Sequence, residues 1–121
     1  MPRDIPERDW KVFKELRAIA LERFCHRVLG DTGRLMGDSA KSSYDRYSDV
    51  YRLITARDRE LARVFDAPRR SRALVQLAQI ANLDLLEPEE LTRISPEVRD
   101  TITELRKAFE PRRVETREAP R

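Results

Sequence analysis

Apolar residues recur at intervals of three and four along nearly the whole chain, and nowhere do they alternate as in a half-buried strand. That period is the strongest constraint on the fold. Side chains spaced this way share a face only on a helix, so burying them means packing helical stripes together. With only three glycines, the chain also has little material for the tight turns of a strand-rich fold. A length of 121 residues suits one domain. The expectation is an all-α, single-domain helical bundle over residues 1–110 and a disordered basic tail over 111–121, where the apolar period stops.

Helix one begins near Pro6, where Asp4 and Glu7 have the spacing of a capping box. Its main apolar face gathers Trp10, Phe13, Ala20, Leu21, Phe24, Cys25 and Val28, with Leu35 beyond them. Val12, Leu16 and Ile19 fall on nearly the opposite side, which suggests either packing on two sides or a stripe offered to a partner. Gly30, Gly33 and Gly37 weaken the helix and end it between 29 and 37. Residues 37–43 read as a loop, Ser42 or Ser43 caps helix two, and that helix runs to about Phe65. Its stripe is Tyr47, Val50, Tyr51, Ile54, Leu61 and Phe65.

Asp66 or Ala67 caps a third helix with Pro68 in its first turn, and Leu74, Leu77, Ala78, Ala81 and Leu85 face inward. Glu87-Pro88-Glu89 and Ser95-Pro96-Glu97 then place a proline and carboxylates where a helix dipole favours them. They start a short helix over 88–93 and a longer one over 96–109 with Val98, Ile102, Leu105 and Phe109 on one face. The expected architecture is two long antiparallel helices followed by three shorter ones.

Composition narrows the function. The sequence contains neither the apolar core of a signal peptide nor a run of 18 apolar residues, so no membrane association is expected. One cysteine excludes an internal disulfide framework and fits a reducing cytoplasm. A net charge of +3 is too small to imply nucleic acid. The segments ERDWK, ARDRELARVF, RRSRALVQLAQI and LLEPEEL…SPEVR, spread over residues 7–105, resemble a group of small uncharacterised bacterial all-helical proteins. That resemblance implies a bacterial, cytoplasmic, all-α protein and carries no activity with it.

Residue types that do chemistry are sparse. Cys25 and His26 are adjacent, hence about 100° apart on a helix, and cannot form a side-chain dyad there. Glu22 precedes His26 by four residues rather than the three of a helical di-metal motif, and one histidine with one cysteine cannot make a zinc site of the usual kind. In the run from Gly30 to Ser42, Gly37 lies four residues before Lys41 with no strand ahead of it, unlike a phosphate loop. No catalytic residue, metal ligand or cofactor is expected.

Charged residues offer more. Arg17 lies on the apolar face of helix one, Asp58 between Ile54 and Leu61 on helix two, and Arg70 in line with Leu74 and Leu77. An unpaired buried charge is costly, so the three are expected to pair as an architectural network or to line a pocket for a small anion. Asp49 and Asp66 are alternative acids for the pairing. Arg69 and Arg72 point away from the core and, with Arg112 and Arg113, form the candidate nucleic-acid contact. The helix over 96–109 is acidic at its start, where a recognition helix would meet the bases. The leading expectation is a non-enzymatic cytoplasmic interaction protein with a protein partner or itself as a homodimer, using Val12, Leu16 and Ile19. Weak nucleic-acid binding and small-anion binding are the alternatives.

Overall fold

A computed structural model describes residues 5–109. Five α-helices occur in it, with no strand among the described residues: α1 Glu7–Met36, α2 Ser43–Phe65, α3 Ala73–Asn82, α4 Pro88–Leu91 and α5 Pro96–Phe109. The all-α class read from the period is therefore correct. The expected tail and Asp4 of the expected capping box lie outside the described residues, and Pro6 occupies the cap position of α1 without a side-chain hydrogen bond.

Helix α1 is 30 residues long, about 45 Å at 1.5 Å per residue. It continues through Gly30 and Gly33 and stops at Gly37, because a glycine weakens a helix by only about 1 kcal/mol and α2 packs alongside. Ser42 caps α2 by accepting a hydrogen bond from the Asp45 N–H at 3.0 Å. The two helices run antiparallel. Met36 lies beside Ser43 and Tyr47, Cys25 and Leu29 beside Ile54 and Asp58, and the Phe24 and Phe65 rings meet at 5.8 Å.

Helices α3 and α5 cover only the base of this hairpin, and two buried clusters result. One joins Phe13 and Leu16 of α1 to Leu74, Leu77 and Ala78 of α3 and to Ile94, Val98 and Ile102. The other joins Ala20 and Phe24 to Val64, Phe65, Ile80 and Leu85, with Leu86 against both. From Leu61 back towards the α1–α2 turn the hairpin leaves the core and projects as an arm that, among the described residues, consists of α1 and α2.

Two expectations need correction. The third helix starts at Ala73, not at Pro68. Ala67 takes a left-handed conformation (φ 50°) and Arg70–Arg72 form a 3-10 turn, so the segment after α2 is a connection and not a first turn. The stripe Val12, Leu16 and Ile19 is not free for a partner: Leu16 is 0% exposed in the core, and Val12 and Ile19 are half-buried. Helix α1 packs on two sides within its own chain. Truncation by Leu16→Ala is therefore expected to destabilise the fold by ~2–5 kcal/mol in a urea titration. A free partner stripe would leave the titration midpoint where it is.

Candidate interaction surface

The base is held by polar side chains of α1 that reach the backbone where other helices end. Asp9, 1% exposed, accepts from the Ser95 N–H at 2.9 Å and the Ser95 hydroxyl at 2.5 Å, capping α5 from another helix. Arg17 donates to the Phe65 carbonyl through Nε at 3.1 Å and Nη2 at 2.5 Å, closing the last turn of α2. Arg27 donates to the carbonyls of Leu83 and Asp84, and Arg23 to that of Leu85, just past α3. A similar contact from α5 joins Arg106 to the Asn82 side chain at 2.8 Å.

Arg23 also grips Glu90 with both terminal nitrogens, at 2.7 and 2.8 Å. The Glu90 carboxylate accepts from the Glu87 N–H as well, closing the capping box of α4. The guanidinium first, and that backbone bond second, hold the Glu90 carboxyl below its ordinary value of 4.5. On the arm, Lys41 at 2.7 Å and then Arg52 at 2.7 Å hold the Asp49 carboxyl below its ordinary value in the same way.

The expected Arg17, Asp58 and Arg70 network does not form. Arg17 is spent on the Phe65 carbonyl and lies over the Phe65 ring. Arg70 is half-exposed, pairs with Glu7 at 2.5 Å and lies over the Trp10 ring. Asp58 is exposed on the arm, above the point where α3 stops covering α2, and no cation lies within ion-pair distance of it among the described residues. The three share no partner and no groove, so they do not build a single anion pocket. Of the alternative acids, Asp49 pairs with Lys41 and Arg52, while Asp66 uses its carbonyl to accept from Gln76 at 2.9 Å.

Other candidates are likewise dispersed. Arg69 is exposed and Arg72 half-buried, while Arg112 and Arg113 lie outside the described residues. Cys25 lines a groove between α1 and α2, whereas His26 lies in another beside Glu22, Arg23 and the turn after α3. Among the described residues no three His, Cys, Asp or Glu side chains gather as metal ligands, and no helix is long and apolar enough to cross a membrane.

What the arm does bring together is an apolar face. Tyr44, Tyr47 and Tyr51 are 73%, 69% and 64% exposed, and Ile54, Leu29 and Met36 are exposed beside them. The Tyr44 and Tyr47 rings rest on each other at 6.5 Å. At the base of the face, Phe24, Cys25, Val28, Leu29, Ile54 and Leu61 line a groove of about 200 Å³ together with Arg57 and Asp58. Tyr47, Tyr51 and Ile54 belonged to a helix stripe in the sequence, but helical phase alone could not show that nothing among the described residues covers them. The size of the face was legible only as the length by which α1 and α2 exceed the three helices after them.

No family model, curated protein or solved structure matches the chain. The charge chemistry of the base gives a direct check. Because the Glu90 carboxyl lies lower in the folded than in the unfolded chain, its stabilisation is complete above 4.5 and is lost as pH falls through the lower folded value. Glu90→Gln is therefore expected to lower the urea midpoint at about pH 7, and the gap to the parent should close on acidification below 4.5. A gap that persists unchanged in acid would contradict the Arg23 pairing.

Proposed function

We propose that this chain is a non-enzymatic, cytoplasmic interaction protein that works by holding a helical protein partner, a second copy included, against the exposed face of its α1–α2 arm. The observation that carries this reading is the run of Tyr44, Tyr47, Tyr51 and Ile54 on one face of α2 with no cover from the other described residues. Contiguous exposed apolar surface of this kind, flanked by charged residues, marks an interaction site more often than it marks chemistry. Tyrosine suits such a face because it gives large, rigid contact area with a polar tip. Pairing helices by apolar anchors at three- and four-residue spacing is a recurrent recognition mode.

The arginines support the same reading. Arg17, Arg23, Arg27 and Arg106 are committed to carbonyls and side chains of the fold, and Arg70 to Glu7. Of the candidate nucleic-acid contact, Arg69 and Arg72 are the members among the described residues, a thin basis for nucleic-acid binding.

The test is affinity purification of the tagged chain from its native cell, with and without nuclease, beside a Tyr51→Lys variant. A protein partner retained after nuclease and lost with Tyr51→Lys is the expected result. Complexes that vanish with nuclease, or that the variant retains in full, would overturn it.

A further inference from the structure

We infer that the occupant of the arm face is the same face of a second copy, packed antiparallel about a two-fold axis so that Tyr47 of each copy meets Asp58 of the other. This rests on the reading of the arm as an interaction face and names its partner. Tyr44, Tyr47, Tyr51, Ile54, Asp58 and Leu61 follow one another at alternating steps of three and four, the heptad spacing of a helix-pairing seam. A charge at such a position is unexpected unless something answers it. Asp58 makes no ion pair among the described residues, Arg57 in the same groove being turned to Glu60, and its stripe carries phenol hydroxyls at the other end.

The two ends of the face are complementary in shape as well as in chemistry. One end projects the Tyr44 and Tyr47 rings, and the other holds the apolar groove with Asp58 in its lining. Projection and groove on one surface can satisfy each other twice only across a two-fold axis that reverses the helices. With Tyr51 and Ile54 opposite each other at the centre, Tyr47 falls opposite Asp58 and Tyr44 opposite Leu61 over the groove. The phenol then donates to a carboxylate, a charge-assisted hydrogen bond, at both ends of the interface.

The area is adequate. Three tyrosines exposed to this degree bring on the order of 400 Å² per copy. Leu29, Met36 and Ile54 supply much of the remainder of the ~800 Å² that a standard interface takes from each partner. Residues 1–4 and 110–121 of this chain, MPRD and EPRRVETREAPR, carry no apolar stripe that could cover the face instead.

Sedimentation equilibrium of the full chain over a range of concentrations is the test, with circular dichroism to confirm the fold of each variant. The parent is expected to dimerise and Tyr51→Lys to be a folded monomer. Tyr47→Phe should weaken the dimer roughly tenfold or more, with little further loss when added to Asp58→Asn. Orientation follows from cysteine variants in a Cys25→Ser background joined by a short bismaleimide. Ile54→Cys should cross-link to itself and Tyr44→Cys should not, whereas a parallel pair would cross-link both. A parent that stays monomeric at high concentration overturns the second copy as occupant and leaves the purification experiment to decide the face itself. A dimer that survives Tyr51→Lys overturns this interface.

Discussion

Helix α1 is the element on which the rest of the molecule hangs, and the interaction that matters most is its capture of backbone groups where other helices end. Helix termini leave carbonyl and amide groups without partners, and in a small chain those groups crowd the edge of the core. Here Asp9 answers the start of α5, Arg17 the end of α2, and Arg23 and Arg27 the turn after α3. Each contact does two things. It satisfies polar groups that would otherwise be costly to shield from water, and it fixes the angle at which a short helix leaves α1. The turn at Ala67, in a conformation unfavourable for alanine, is preceded by two such contacts, the Phe65 carbonyl on Arg17 and the Asp66 carbonyl on Gln76.

This accounts for Arg17, Arg23 and Arg27 without an external ligand. A guanidinium offers several donors in a fixed plane and so can close a carbonyl and a carboxylate at once, as Arg23 does with Leu85 and Glu90. Lysine, a point charge on a flexible stem, would close one of them. Helix length explains where the core stops. Helices α3 and α5 are too short to follow α1 and α2 along their whole length, and the uncovered part becomes the arm.

The sequence made the helices, their order and most of the inward faces legible, because apolar period and proline placement are local signals. Pro88 and Pro96 marked the starts of α4 and α5 correctly. The charge network was not legible, for two physical reasons. Helical phase says which side of a helix a residue occupies but not whether anything lies opposite, so Asp58 shared a stripe with Leu61 and yet lies beyond the core. Pairing logic also matches side chain with side chain, whereas Arg17, Arg23 and Arg27 found backbone carbonyls, which every residue carries and no sequence pattern reveals. Leu16 is the converse case: a stripe that suggested a partner was covered by the chain itself. Asp9 could have been suspected, since a buried first-turn acid needs donors, but Ser95 could be identified as its partner only in three dimensions.

We propose that labour is divided along α1 and α2, the base being stabilised from within and the face of the arm by a partner copy. Amide hydrogen exchange of the parent and of Tyr51→Lys, at a concentration where the parent is associated, tests that division directly. The variant is expected to lose protection across the arm portion of α2 while α3, α5 and the first half of α1 exchange as slowly as before. Equal protection of the arm in both proteins, or loss of protection in the base, would contradict it.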